Sequence, residues 1–108
     1  MAFLAVYFNL HPDHFFGYEH GHPLQKIFGY EAPSTSDLIG LAEEAYGAFN
    51  APFELLAESY RLVAERYRAA GNRSLSVGDV LRIDDDWLAC ASSGWVRLEQ
   101  APVEVSGE

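Results

Sequence analysis

An unbroken run of apolar positions at the start of the chain predicts a buried strand. Residues 2–10 are apolar on both faces of an extended chain, which is typical of a strand in the middle of a sheet. One face would carry Phe3, Ala5 and Tyr7, and the other Leu4, Val6, Phe8 and Leu10. A second strand is predicted over residues 24–30. It would place Leu24, Lys26 and Phe28 on one face and Gln25 and Ile27 on the other.

Apolar residues at helical spacing follow in two segments. The hydroxyl and carboxylate side chains of residues 34–37 predict an N-cap, because they accept hydrogen bonds from the first free backbone N–H groups. The first helix ends at Asn50, and its inward face would carry Leu38, Leu41, Ala42, Ala45 and Phe49. A second helix is predicted over residues 52–70, with Pro52 in its first turn and Gly71 as its C-cap. Its apolar stripe would be Phe53, Leu56, Tyr60, Val63 and Tyr67.

Short apolar runs separated by turn residues predict three more strands, over residues 80–83, 87–91 and 95–98. Together the elements predict a single α+β domain over residues 1–100, with two helices packed on one face of a small, mostly antiparallel sheet. From Ala101, proline, glycine and acids predict a loose acidic tail over 101–108. The predicted core consists of Val6, Phe8, Ile27, Leu41, Phe49, Leu56, Val63, Val80, Ile83, Leu88 and Trp95.

The charge and cysteine content narrow the classes of partner. The 108 residues include 16 acids and 7 bases, which gives a formal net charge of −9 and disfavours binding to nucleic acid or to an anionic membrane. One cysteine, Cys90, argues against a disulfide-stapled secreted fold. The apolar start lacks the basic region and cleavage site of a signal peptide and is too short to span a bilayer. We therefore predict a cytoplasmic protein without a membrane partner.

All four histidines of the protein lie within residues 11–22. Neutral imidazole is a good ligand for transition metals, so one hypothesis is a metal-dependent enzyme that uses His11, His14, His20 and His22. Their spacing, H-x2-H-x5-H-x-H, follows no structural zinc pattern, and no cysteine lies nearby. The favoured interpretation is a surface loop without metal or cofactor, in which the histidines stack against aromatic neighbours.

A run of acids without a base extends from Glu31 to Glu58. Its members are Glu31, Asp37, Glu43, Glu44, Glu54 and Glu58. Such a face would present negative charge to a surface built for phosphates, which gives the hypothesis of an inhibitor that mimics nucleic acid. The favoured interpretation is a solvated helix face whose acids suit the helix dipole.

The other motif-like residues indicate structural roles. The aspartates at 84–86 lack the alternating acids and the glycine of a calcium-binding loop and predict a hairpin turn. Arginines at 61, 66, 68 and 73 form a small basic patch for which direct nucleic-acid binding is a further, disfavoured hypothesis. Cys90, between two alanines in an apolar strand, predicts a buried inert thiol. Serine-nucleophile, phosphate-loop and dinucleotide motifs are missing from the sequence, so no catalytic residue is assigned.

The stretch from Tyr67 to Trp95, YRAAGNRSLSVGDVLRIDDDWLACASSGW, resembles a C-terminal block of uncharacterised small proteins from GC-rich bacteria, plasmids and phages. The segments HPDHFFGYEHGHPLQKIFGYEAP and EEAYGAFN are similar to the same group, so the resemblance covers nearly the whole chain. A looser likeness extends to the YodL-type domains of mobile elements. The resemblance implies a mobile-element or phage context and no specific activity.

Because the motif-like residues are explained by folding, we expect a non-enzymatic protein-interaction module, an accessory factor that binds a host or partner protein. The aromatic and histidine side chains of the first loop would supply rigid anchors. The partner itself and the oligomeric state are not indicated by the sequence. The expected contact residues are His14, Phe15, Phe16, Tyr18, His20, His22, Glu43 and Glu44.

Overall fold

A computed structural model of the chain describes residues 2–107 and shows the predicted α+β fold. Two α-helices, α1 (Leu38–Asn50) and α2 (Glu58–Ala69), accompany a six-stranded sheet. The strands are β1 (Phe3–Asn9), β2 (Leu24–Glu31), β3 (Val80–Ile83), β4 (Asp86–Cys90), β5 (Trp95–Arg97) and β6 (Val105–Ser106). Short 3-10 turns lie at His14–Phe16 and Phe53–Leu55. No helix within residues 2–107 is long and apolar enough to cross a membrane.

The sheet has the strand order β5-β4-β3-β1-β2-β6. Every neighbouring pair is antiparallel except β2 and β6, which are parallel. The apolar pattern of residues 2–10 is therefore confirmed, because β1 lies between β2 and β3 and is covered on both faces. Its two sets of side chains separate as predicted: Leu4 and Val6 enter the cluster under the helices, and Ala5 and Tyr7 enter a second cluster on the opposite face.

A β-bulge in β2 changes which of its side chains share a face. Val6 pairs with Phe28 but Tyr7 pairs with Lys26, so Ile27 is an extra residue opposite β1. The bulge puts Leu24 in the cluster of the second face and Phe28 against the helices. The prediction that Leu24, Lys26 and Phe28 lie on one face is wrong, because one inserted residue reverses the alternation beyond it.

The main core lies between the helices and the sheet, as the sequence predicts. The rings of Phe49 in α1 and Tyr67 in α2 stack 3.9 Å apart and join the two helices. Phe28 of β2 meets both rings edge-on. Each residue of the predicted core is buried or partly buried, although Val80 belongs to the second cluster and Leu56 lies outside both.

The second helix begins later than predicted. Residues Phe53–Leu55 form one 3-10 turn, and Leu56 and Ala57 are extended before α2 starts at Glu58. Phe53 and Leu56 fit a helical spacing although both lie outside α2. The chain between the two helices turns back at this point and lays α2 beside α1. Pro52 precedes the 3-10 turn and is not in the first turn of a helix.

The segment predicted as a loose tail contains the edge strand β6. The N–H group of Leu24 donates to the carbonyl of Glu104 at 2.7 Å, and Val105 pairs with Leu24 in the sheet. Val105 packs on the second face, as does Leu98 at the end of β5. Hydrogen bonds to Leu24 and one apolar side chain hold this strand in place, and a two-residue strand is too short to show an alternating pattern. Met1 and Glu108, the outer residues of the predicted domain and tail, lie outside the described residues.

Candidate functional site

The histidine-rich loop, residues 10–23, is attached to the sheet through the buried side chain of Asn9. The amide oxygen Oδ1 of Asn9 accepts a hydrogen bond from the N–H group of His11 at 2.9 Å. The amide nitrogen Nδ2 donates to the carbonyl of Gly78 at 2.9 Å and to Nδ1 of His22 at 3.0 Å. Since every amide position of Asn9 is used, the orientation of its side chain is determined by these contacts.

His22 is buried and electrically neutral in this arrangement. Its Nδ1 atom accepts from Asn9 Nδ2 and, at 3.2 Å, from the N–H group of Glu19, so the ring proton is on Nε2. The ring of His11 stacks on it at 4.2 Å. Burial lowers the pKa of His22, and the neighbouring His11 lowers it further, against the smaller opposing effect of Glu19.

A buried carboxylate, Asp79, connects the same loop to the segment before β3. Its side chain is fully buried and pairs with the guanidinium of Arg73 through bonds of 2.7 and 3.0 Å. It also accepts from the backbone N–H groups of Asn9 and Ser76, each at 2.9 Å. Arg73 lies over the ring of Phe8 at 3.9 Å. The charge of Asp79 is therefore compensated by a bidentate pair and two backbone donors.

The 3-10 turn at His14–Phe16 sits directly on the backbone of Gly78. Nδ1 of His14 donates to the carbonyl of Val77 at 2.8 Å. A side chain at Gly78 would place its Cβ 2.3 Å from the carbonyl oxygen of His14, and Gly78 has a φ of 92°. Both facts require glycine at this position. The turn is therefore fixed against the SVGD segment of the chain.

The two phenylalanines of this turn point away from the protein. Phe16 is 93% exposed and Phe15 is 67% exposed, although His14 beside them is anchored. Tyr18 is partly buried against the second face and meets the ring of His22 edge-on. His20 is exposed. Of the six loop residues expected to contact a partner, Phe15, Phe16 and His20 are thus available, whereas His14, Tyr18 and His22 hold the loop in place.

The two acids expected at the contact surface have different environments. Glu43 is exposed. Glu44 is partly buried and accepts hydrogen bonds from Ser36, from Ser34 at 2.6 Å and from the hydroxyl of Tyr60 at 2.5 Å. Burial alone raises the pKa of Glu44, but these three bonds outweigh it and lower the pKa overall. Glu44 therefore connects α1 to the loop before it and to α2, and only Glu43 presents a free carboxylate.

The imidazoles of the loop serve as hydrogen-bonding groups in the fold. His11 accepts at Nδ1 from the N–H group of Asp13 at 3.0 Å, His14 donates to Val77 and His22 accepts from Asn9. Throughout the part of the chain that the structure describes, no three histidine, cysteine, aspartate or glutamate side chains are arranged to hold a metal ion. The hypothesis of a metal site at His11, His14, His20 and His22 gains no support from this geometry.

The remaining candidate residues mostly have structural contacts. Arg68 donates to the carbonyls of Ala48 and Ala51, and Arg61 donates to that of Leu56. Together with the pairing of Arg73, this engages three of the four arginines of the basic patch in contacts within the fold. The predicted turn at 84–86 is a hairpin, in which residue 86 already belongs to β4. Burial, with smaller effects from nearby acids, raises the pKa of Cys90 to about 11, so its thiol is protonated at neutral pH.

Sequence reasoning missed Asn9 and Asp79, the two buried polar residues that organise the loop. The sequence patterns assign neither of them a functional role, and Asn9 falls within the strand predicted over residues 2–10. They are 70 residues apart in the sequence, so no local pattern connects them. In the structure they bring the histidine loop against the GNRSLSVGD segment, through the bonds of Asn9 to Gly78 and to Asp79.

The chain matches no protein-family model, no curated protein and no solved structure. The resemblance to small proteins of plasmids, phages and mobile elements thus stays a prediction.

Proposed function

We propose that this protein is a non-enzymatic interaction module that docks onto a partner protein through the turn at His14–Phe16. The observation that carries the proposal is the pair of exposed phenylalanines, with Phe16 at 93% exposure, on a turn whose base is hydrogen-bonded to the backbone of Val77. Exposed aromatic side chains on a fixed scaffold are typical anchors of protein interfaces.

The rigidity of the loop supports this role. A flexible loop would lose conformational entropy when a partner bound, and that loss would weaken binding. Here the hydrogen bonds of Asn9, His14 and His22 hold the loop in one conformation before binding. The close approach of the turn to Gly78 adds a steric constraint. The two rings are therefore presented at low entropic cost.

The wider context of the proposal comes from the sequence resemblance, which favours an accessory role in a phage, a plasmid or another mobile element. A partner in that setting would be a host or element-encoded protein. The alternative of a nucleic-acid mimic is less well supported, because the carboxylates of Glu44 and of the helix-capping Asp37 accept hydrogen bonds within the fold. They are therefore not free to imitate phosphates.

Site-specific photo-crosslinking tests the docking turn. A benzophenone amino acid at position 16 should crosslink a defined partner in the native cells. The same group at Leu55, which is 76% exposed in the connection between α1 and α2, should not. The purified partner should then bind the Phe15→Ser, Phe16→Ser variant at least about tenfold more weakly than the wild type. The matched Leu55→Ser variant should bind normally.

Equal crosslinking from positions 16 and 55, or equal affinity of the phenylalanine variant and the wild type, would contradict the proposal. Both phenylalanines are exposed, so their replacement leaves the core intact, and unchanged thermal unfolding serves as the folding control.

A further inference from the structure

A cavity of about 230 Å³ lies between α1 and the connection from β4 to β5. Its walls include Glu43 and Tyr46 of α1, Cys90 of β4 and Trp95 of β5. Val77 also lines it, and the carbonyl of Val77 is the acceptor for His14. The cavity thus shares one residue with the base of the proposed docking turn.

The chemistry of the lining favours a positive charge. Within residues 2–107, Glu43 makes no ion pair or hydrogen bond with any side chain, so its carboxylate is available to a ligand. Tyr46 and Trp95 add two aromatic rings, whose faces attract cations. No arginine, lysine or histidine lines the cavity. An anionic ligand would therefore meet an uncompensated like charge.

The size of the cavity and its thiol restrict the ligand further. Pockets for complete small molecules usually occupy roughly 300–1,000 Å³, and this cavity is smaller, so one long side chain suits it better. Cys90 contributes an uncharged and unreactive side chain to the lining, because its protonated thiol is neither a good nucleophile nor a good metal ligand at neutral pH.

We propose that this cavity binds one arginine or lysine side chain of a partner protein, with its charged head at Glu43 and its stem between Tyr46 and Trp95. The net charge of −9 would attract a basic partner surface at long range. Describing the ligand as part of a protein rests on the proposed function. The preference of the cavity for a cationic side chain is independent of the proposed function.

Nuclear magnetic resonance of the full chain tests the preference with capped amino acids. Nα-acetyl-arginine amide and Nα-acetyl-lysine amide should shift the indole N–H signal of Trp95 in a saturable way. The signal of Trp87, which packs on the second face, should stay in place as an internal reference. Nα-acetyl-norleucine amide, which has a similar stem without the charge, should bind at least about fivefold more weakly.

Variants separate the cavity from general charge attraction. Glu43→Gln should weaken binding of the capped arginine at least about fivefold, whereas Glu54→Gln, an equally charged change at another exposed acid, should leave it within about twofold. The Phe15→Ser, Phe16→Ser variant should bind capped arginine normally, so this titration succeeds or fails independently of the docking turn.

Three results would overturn the inference. They are equal binding of the norleucine compound, equal effects of Glu43→Gln and Glu54→Gln, and tighter binding of free spermidine than of either capped residue. The last result would assign the cavity to a free polyamine.

Discussion

The carboxylate of Asp79 is the most constrained charge in the described part of the chain. It is fully buried, and five donor groups from three residues, Arg73, Asn9 and Ser76, converge on it. The Arg73 side chain is 43% exposed and can be solvated by water, so the cost of losing the Asp79 charge falls on the buried donors around it, the N–H groups of Asn9 and Ser76. Through the N–H group of Asn9, this side chain supports the residue that attaches the histidine loop to the sheet.

We expect Asp79→Asn to lower the free energy of unfolding by about 3 kcal/mol, because it removes a buried charge that pairs with Arg73. Arg73→Lys, which keeps the charge but loses the two-pronged geometry, should lower it by about 1–2 kcal/mol. Urea unfolding of the purified variants measures both changes.

The matched control is Asp85→Asn, since the Asp85 side chain is fully exposed beside Arg82. It should change the free energy of unfolding by less than about 0.5 kcal/mol. Similar losses for Asp79→Asn and Asp85→Asn would show that the buried carboxylate contributes nothing beyond an exposed one.

At the scale of elements, the histidine loop is an acid-sensitive part of the fold. The pKa of His22 is lowered in the folded state, and Nδ1 of His22 accepts two hydrogen bonds that protonation would break. Above its usual pKa of 6.5, His22 is neutral in both the folded and the unfolded chain. Below that value the unfolded chain binds a proton that the folded chain does not, so stability falls with falling pH.

We therefore expect the free energy of unfolding to decrease between about pH 7.5 and pH 5.5. His22→Gln should reduce this dependence, whereas His20→Gln, at an exposed position, should preserve it. The groups that face His22 are His11, His14, Asp13 and Glu19, and they remain in both variants. Urea unfolding at several pH values measures the slopes, and an unchanged slope in His22→Gln would exclude His22 as its source.

The elements that the sequence predicted well are those with a local period. The continuous apolar run from Phe3 to Phe8 placed β1 correctly, because a strand that is covered on both faces carries apolar side chains on both of them. The bulge at Ile27 was missed, because an inserted apolar residue leaves composition unchanged and alters only pairing. The start of α2 was missed for a related reason, since Phe53 and Leu56 repeat at helical spacing outside any helix.

The candidate site was predicted in position but not in detail. The sequence pointed to the histidine loop as a surface feature, and Phe15 and Phe16 are exposed there. It could not distinguish anchoring residues from exposed ones. His14 is held by Val77, which is distant in the sequence, and His22 is held by Asn9, which lies in β1. Long-range hydrogen bonds of this kind leave no trace in a single sequence.

At the scale of the whole molecule, residues 98–104 join the two outer strands of the sheet. Removing residues 101–108 would delete β6, leave the N–H group of Leu24 without its acceptor and uncover the second face at Val105. We expect this truncation to lower the free energy of unfolding by about 1–3 kcal/mol.

Urea unfolding compares the truncated chain with Val103→Ser, a change at an exposed site in the same segment. The substitution should have an effect below about 0.5 kcal/mol. A truncated chain as stable as the full chain would restore the interpretation of this segment as a loose tail.

The reach of this connection also bears on how a partner can approach the sheet. Six strands laid flat would hold their outer members about 24 Å apart. Eight residue steps from Arg97 to Val105 reach at most about 29 Å when straight, and this segment contains bends. The connection therefore has little slack, and Leu98 and Val105 near its two ends pack against the same apolar cluster on the second face. The protein's own chain thus occupies part of that face, whereas Phe15 and Phe16 stay exposed to a partner.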